Sequence, residues 1–280
     1  MWDMLLDALL DTLKLIPFLF LTYFLMEYLE HKTGDKTEKI IRKAGHFGPA
    51  IGGALGLLPQ CGFSAAASSL YASRVITLGT LMAIYLSTSD EMLPILISER
   101  APIGLIARLL AVKGGIGILA GFVIDFVLRL RKVEEHAHIH EICEHEHCRC
   151  EEGIFKSALI HTAQISFFIL AVNAALQVLF FLVGEEVLAD LICSVPALTP
   201  FFTSLVGLIP NCAGSVVITQ LYLEQVIGGG AAVGGLLTGT GVGLLILFRA
   251  NHHHRKQNLC ILGLLYGIGV AAGLFLELLW

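Results

Sequence analysis

Two stretches of the chain carry the same reactive side chains at the same spacing: GLLPQCGFSAAASSLY from Gly56 and GLIPNCAGSVVITQLY from Gly207. Each sets a proline, an amide (Gln60, Asn211), a cysteine (Cys61, Cys212) and a serine (Ser64, Ser215) among apolar neighbours. Amide and hydroxyl oxygens coordinate hard cations, and thiolates coordinate soft ones. Proline lacks a backbone donor and stops a helix. Close packing of small residues is a sufficient explanation for one such copy. Two copies in register favour a site.

Two further clusters carry ligand chemistry. Ser87, Thr88, Ser89, Asp90 and Glu91 interrupt an apolar run, and the matching stretch of the second half keeps the hydroxyls of Thr238 and Thr240 but has Gly241 and Val242 in place of the acids. Carboxylates inside a membrane segment are costly and usually line an ion path or proton relay. The competing reading puts Asp90 and Glu91 at a water interface. Arg108 and Lys113 are candidate partners for these acids, or they snorkel to the headgroups. The other cluster is EEHAHIHEICEHEHCRCEE, residues 134–152, which holds His136, His138, His140, Cys143, His145, His147, Cys148 and Cys150. Imidazole and thiolate bind zinc, copper and related ions, and carboxylates extend the range toward manganese. The spacing matches no structural finger, so a weak, multi-ligand tract is expected, which also serves as a solvated linker. The HHH at 252–254 is a weaker candidate of the same kind.

The elements that must position these residues follow from composition. The chain has 280 residues, 56% of them hydrophobic and only 15% charged, with a mean hydropathy of +0.78. A soluble domain of that length cannot hide so much apolar surface. Stretches 4–30, 101–128, 154–183 and 258–280 reach the ~20 residues that cross a bilayer. The acidic opening MWDMLLDALLD reads as a retained span and not as a secretory leader. The expected class is an all-α polytopic membrane protein in contact with lipid.

Sliding the sequence by 151 positions aligns Gly56, Leu57, Pro59, Cys61, Ser64, Leu70 and Tyr71 with Gly207, Leu208, Pro210, Cys212, Ser215, Leu221 and Tyr222. The match runs back to Pro49 and Pro200, and forward to Gly79 and Gly230. One more residue of offset aligns GIGILAGFVID, ending at Asp125, with GIGVAAGLFLE, ending at Glu277. The chain is a duplicated half. Residues 1–130 form the first transmembrane repeat, 131–153 a His/Cys/Glu-rich linker, and 154–280 the second repeat. Each reads as five hydrophobic segments: near 4–30, 44–58, 62–74, 75–98 and 101–129, then 155–183, 197–210, 212–226, 228–248 and 258–280. Five crossings per half make the halves opposite in orientation, an inverted repeat with broken helices and a shared midplane site. Segments two and three as a re-entrant pair leave that parity unchanged. Segment 44–58 has 15 residues, about 22 Å of helix and too short to cross.

Basic residues concentrate in HKTGDKTEKIIRK (31–43), in Arg129 to Lys132 and in HHHRK (252–256). The positive-inside rule makes 31–43, 129–153 and 249–257 cytoplasmic and leaves both termini outside. A multi-pass protein of the cell (inner) membrane is expected. Seven cysteines, an odd number scattered through spans and one loop, argue against a disulfide framework. There is no Walker A motif or nucleotide fingerprint. No enzyme activity, resident cofactor or nucleic-acid partner is expected, and any transport must draw its energy from a gradient, with protons as a candidate coupling ion, or from a partner chain. Homo-oligomerisation stays open.

The ten segments, the PQC and PNC breaks and the His/Cys/Glu-rich central loop resemble the ten-transmembrane heavy-metal exporter family, whose members are described as manganese transporters or arsenic efflux proteins. The PxCxxS breaks also resemble, over a short window, the cysteine-bearing proline break of arsenical permeases. The resemblance implies export of a metal or metalloid ion, with Pro59, Gln60, Cys61, Pro210, Asn211 and Cys212 as core positions. Cys61 with Cys212 favours a thiophilic species such as trivalent arsenic. Asp90 and Glu91 favour a harder ion such as manganese. The expected function is export of a divalent transition or heavy-metal ion by alternating access. The alternatives are an efflux permease for arsenic or another small oxyanion, with half-helix N-termini attracting the anion, and a metal-sensing membrane protein.

Overall fold

The computed structural model describes residues 9–10, 12–13, 15–17, 19–24, 47–58, 62–89, 92–131, 154–183, 198–210 and 212–279. Among the described residues all regular structure is helical. After an N-terminal helical segment (Leu15–Phe24) come α1 (Gly48–Gly56), α2 (Gly62–Ala72), α3 (Leu78–Ser87), α4 (Met92–Ser98) and α5 (Ile103–Leu130). The second half supplies α6 (Ile154–Val183), α7 (Thr199–Gly207), α8 (Cys212–Leu223), α9 (Gly229–Thr238), α10 (Gly243–Ala250) and α11 (Arg255–Glu277).

The sequence duplication is also a duplication of packing. In the first half α3 packs on α5 and α1 packs on both, and in the second half α9, α11 and α7 repeat that arrangement. The halves also exchange elements: α2 of the first packs on α10 of the second, and α8 of the second packs on α4 of the first. Glycines let the long helices approach. A Cβ on Gly121 would lie 2.5 Å from the Gly79 carbonyl, and one on Gly79 would lie 2.2 Å from the Gly121 carbonyl. Their counterparts Gly230 and Gly273 make the same close crossing of α9 on α11. Backbone approach of this kind is how helices associate in lipid, where apolar burial gives no driving force.

Local signals repeat as well. Arg74 and Gln225, which occupy equivalent positions after α2 and α8, both take left-handed backbone with φ 58° and 60°. Both are followed by the same closing bonds, Val75 N–H to the Leu70 carbonyl and Val226 N–H to the Leu221 carbonyl, each at 2.9 Å. These are left-handed helix stops that hydrogen-bond the orphan carbonyls of the last turn.

The surface is inverted relative to a soluble protein. The buried stripe of α5 is Leu109, Lys113, Gly114, Gly117, Gly121 and Asp125, while Ile103, Leu119, Phe122, Val123 and Phe126 are exposed. Small and polar residues face the bundle, and apolar ones face outward, as lipid requires. By length and composition, 103–130, 158–175, 229–250 and 252–277 are each able to span a bilayer.

One sequence expectation changes. Segments 75–98 and 228–248 read as continuous, and both are broken. Helix α3 stops at Ser87, where Thr88 turns to ψ 128°. Helix α9 stops at Thr238, with Gly239 at ψ 94° and Gly241 at φ 53°. Each half therefore has a break within its fourth segment, in addition to the one between its second and third helical segments. Hydroxyl-rich sequence lies at both, because Ser and Thr hydrogen-bond the backbone locally and compete with the helical ladder.

Candidate functional site

The half-helices α3 and α9 are fixed at their N-termini by carboxylates. Asp125 of α5, 6% exposed, accepts from Thr77 Oγ1 through Oδ2 at 2.7 Å and from Gly79 N–H through Oδ1 at 2.8 Å. Thr77 Oγ1 in turn accepts from Thr80 N–H at 3.1 Å. In the second half Glu277 of α11 accepts from Ala231 N–H through Oε2 at 2.9 Å. A negative charge at a helix N-terminus pairs with orphan donors and with the positive end of the helix dipole. Asp125 and Glu277 are the two residues that the second repeat alignment matches.

The two half-helices start at different levels of α5. Helix α3 begins against Asp125, whereas Gly228 and Gly229 at the start of α9 line a cavity of about 470 Å³ together with Arg108, Glu277 and Leu279. Arg108 and Asp125 are separated by 17 residues of α5, about 25 Å along the helix. Both half-helices nonetheless end at one side chain between those levels. Lys113 is 1% exposed; its Nζ donates to the carbonyl of Thr88, at the end of α3, and to that of Leu236, near the end of α9, at 2.8 Å. These carbonyls belong to the last turns, which lack the partner amides of a continuing helix. Lys113 therefore does not snorkel. It sits on the negative ends of two helix dipoles, one from each half.

The hydroxyls around these ends are oriented by the backbone. Ser87 Oγ donates to the Ala83 carbonyl at 2.6 Å, Thr88 Oγ1 to that of Ile84 at 2.7 Å, and Ser89 Oγ to that of Ser87 at 3.0 Å. Thr238 Oγ1 lies 2.8 Å from the Ser204 carbonyl and 2.9 Å from that of Gly235. A hydroxyl whose proton is committed to a carbonyl keeps lone pairs for a cation. Thr240 differs: its Oγ1 is buried and has no hydrogen-bond partner. An unpaired buried hydroxyl costs stability unless a ligand or water meets it.

Neighbouring helices, one of them from the other half, close on the same breaks. Ser215 of α8 abuts the α9 break, since a Cβ on Gly239 would lie 2.8 Å from its Oγ. Ser64 of α2 is fully buried against Gly243, the first residue of α10, whose Cβ would fall 2.8 Å from that of Ser64. One turn on, Ser68 Oγ lies 2.7 Å from both the Ser64 and Gly243 carbonyls. The Tyr85 hydroxyl is 2.7 Å from Ser68 Oγ and 3.2 Å from the Gly243 carbonyl. Two hydroxyl protons thus serve three acceptors and tie α2, α3 and α10 together.

Of the residues the sequence points to, Ser64, Ser87, Thr88, Ser89, Ser215, Thr238 and Thr240 all lie at the broken ends or directly against them. Gln60, Cys61, Asp90, Glu91, Asn211, the side chain of Cys212 and the tract from His136 to Cys150 lie outside the described residues. The histidines at 252–254 form an exposed 3-10 turn, with the first two rings 3.9 Å apart. Among the described residues no group of three or more His, Cys, Asp or Glu side chains is arranged to hold a metal. Sequence reading named Lys113 but not its carbonyl partners, and it missed Ser68 and Tyr85. Lys113 carried a signal, a lone cation on a helix face otherwise made of Leu109, three glycines and Asp125. Tyr85 carried none, because its counterpart is Leu236.

Outward apolar faces, glycine crossings and paired breaks with polar ends define a polytopic α-helical membrane protein built on discontinuous helices. A family model described as "Putative, 10TM heavy-metal exporter" matches residues 2–189, and the chain belongs to that family. No curated protein and no solved structure matches it. The PNC break and the second half-helix pair lie beyond the matched residues, and the internal repeat connects them to the matched half.

Proposed function

We propose that this chain is a secondary transporter that exports a divalent transition or heavy-metal ion by alternating access. The observation that carries the reading is the meeting of two half-helix C-terminal ends, one from each half, at a buried site. Partial negative charge, hydroxyl lone pairs and the unpaired Thr240 oxygen favour a cation there over an anion. Asp90 and Glu91, which follow Ser89 in the sequence, supply the hard ligands and a proton acceptor for gradient coupling. Gln60, Cys61, Asn211 and Cys212 complete the site from the proline breaks.

The halves are taken as an inverted pair. Support comes from α3 beginning at the Asp125 level and α9 at the Arg108 level while both end at Lys113. The cytoplasmic side is taken as the Asp125 end. There Arg129 follows on α5, and Arg74 Nη2 donates to Gln257 Oε1 at 3.0 Å, bringing the end of α2 beside the HHHRK run. That polarity agrees with the positive-inside rule. The His/Cys tract at 134–152 then hangs in the cytosol as a collector.

A metal-sensitivity panel tests the reading in cells stripped of their own exporters. Expression should raise tolerance to at least one of Mn(II), Zn(II), Co(II) or Cd(II), and Asp90→Asn or Glu91→Gln should abolish the gain at equal protein level. Protection against arsenite alone would reassign the site to the cysteines. Protection against nothing would remove export.

A further inference from the structure

We propose that Lys113 is a tethered resident cation of the transport site: its ammonium holds the Thr88 and Leu236 carbonyls when the site is empty of metal, and the cargo ion must displace it. The inference rests on the transport reading above and names the competitor within the same site.

A fully buried ammonium is expensive to desolvate and persists only where acceptors surround it. Lys113 meets acceptors that are unusual in two respects. They are main-chain carbonyls at interrupted helix ends, and they come from opposite halves of the chain. Helix α9 ends at Thr238, before the residue whose amide would close on the Leu236 carbonyl. Thr88 is the turning residue after α3. Among the described residues no backbone amide is recorded on these oxygens, and a cation satisfies them. Divalent metals seek carbonyl and hydroxyl oxygen of the same kind.

The asymmetry of the repeat sharpens the point. The counterpart of Lys113 in α11 is Leu265, fully buried in the same way. The duplicated fold therefore has two equivalent helix ends and one lysine that serves both. The second pointer is Thr240, buried with an unpartnered hydroxyl oxygen four residues beyond Leu236. The site thus has more oxygen than its resident cation uses.

The exchange requires no change in the protonation of Lys113, only movement of its head off the carbonyls. It also favours divalent cargo. A monovalent ion replaces one positive charge with another and gains nothing against a tethered competitor, whereas a divalent ion adds a charge. After release, the returning ammonium restores the empty state and keeps the two helix ends from repelling each other.

The test uses purified full-length protein, with Mn(II) and Cd(II) binding measured by calorimetry and flux in proteoliposomes. Removing the competitor in Lys113→Met should tighten Kd about tenfold, since charge-assisted hydrogen bonds no longer oppose binding, and should slow turnover by at least about tenfold because release is no longer assisted. Lys113→Arg, which keeps the charge, should stay within about threefold of the wild-type Kd. A folded Lys113→Met that binds metal with unchanged or weaker affinity overturns the proposal and leaves the transport reading standing. Should that variant not fold, reductive methylation of the wild type read by peptide mass spectrometry decides. Lys113 should be modified faster in saturating Mn(II) than without metal, and an equal or slower rate overturns the proposal. A wild type that neither binds nor moves these two metals, nor Zn(II) or Co(II), overturns both readings.

Discussion

Replacing Asp125 separates a positioning carboxylate from an incidental one. Its oxygens accept from Thr77 Oγ1 and Gly79 N–H at 2.7 and 2.8 Å in a buried setting. In Asp125→Ala the Gly79 amide loses its acceptor, and a buried unsatisfied donor costs roughly 1–3 kcal/mol. The favourable charge at the α3 N-terminus, worth about 0.3–1 kcal/mol, is lost as well. With the Thr77 bond, the total is about 3–5 kcal/mol, the usual range for stripping one partner from a buried charged contact. Asp125→Asn keeps an oxygen for Gly79 and should cost about 1–2 kcal/mol. At about 2–4 °C per kcal/mol, Tm in detergent should fall by about 6–20 °C for alanine and about 2–8 °C for asparagine. Glu277 holds the matching position but is exposed, so water replaces part of its role, and Glu277→Ala should lower Tm by less than half as much as Asp125→Ala. Fluorescence-detected size exclusion after heating reads all three variants. Equal, negligible shifts for the two alanine variants would refute the claim that α3 is anchored through this carboxylate.

The remaining expectations concern packing, backbone and the linker. Gly121→Val must move the Gly79 carbonyl, 2.5 Å from the new Cβ, and should cost about 1–3 kcal/mol in the same assay, whereas Gly115→Ala, with nothing within 4 Å, should be tolerated. Gln225 is exposed in left-handed backbone at φ 60°, so Gln225→Gly should raise Tm by a few degrees, about 1 kcal/mol, and Gln225→Val should lower it. Replacing the histidines and cysteines of 134–152 with serine should weaken apparent metal affinity while sparing maximal flux, because a tethered collector raises local concentration without building the path. Loss of all flux at saturating metal would place the tract in the pathway.

How far the sequence could be read depended on the kind of signal. The duplication was legible because both halves keep Pro, Cys, Ser and Tyr in register. It also located Asp125 and Glu277, although only the structure shows that they cap α3 and α9. The breaks at the prolines were legible from a segment too short to cross. The breaks after Ser87 and Thr238 were not, because apolar residues resume within a few positions and hydropathy averages over the gap. Lys113 was visible but ambiguous: composition cannot distinguish a lysine that reaches the headgroups from one held by two carbonyls, the farther of them 123 residues along the chain. Ser68 and Tyr85 were beyond reach, since their partner Gly243 lies in the other half of the chain.

The most direct test of metal export is energised uptake into everted membrane vesicles containing the protein, with Mn(II), Zn(II), Co(II) and Cd(II) each supplied outside. Everted vesicles present the cytoplasmic face to the medium, so export in the cell becomes accumulation in the lumen. The account predicts accumulation of at least one of these ions, abolished by dissipating the proton gradient and by Asp90→Asn at matched protein level. Vesicles carrying folded wild-type protein that accumulate none of the four, or that do so equally with Asp90→Asn, would contradict it.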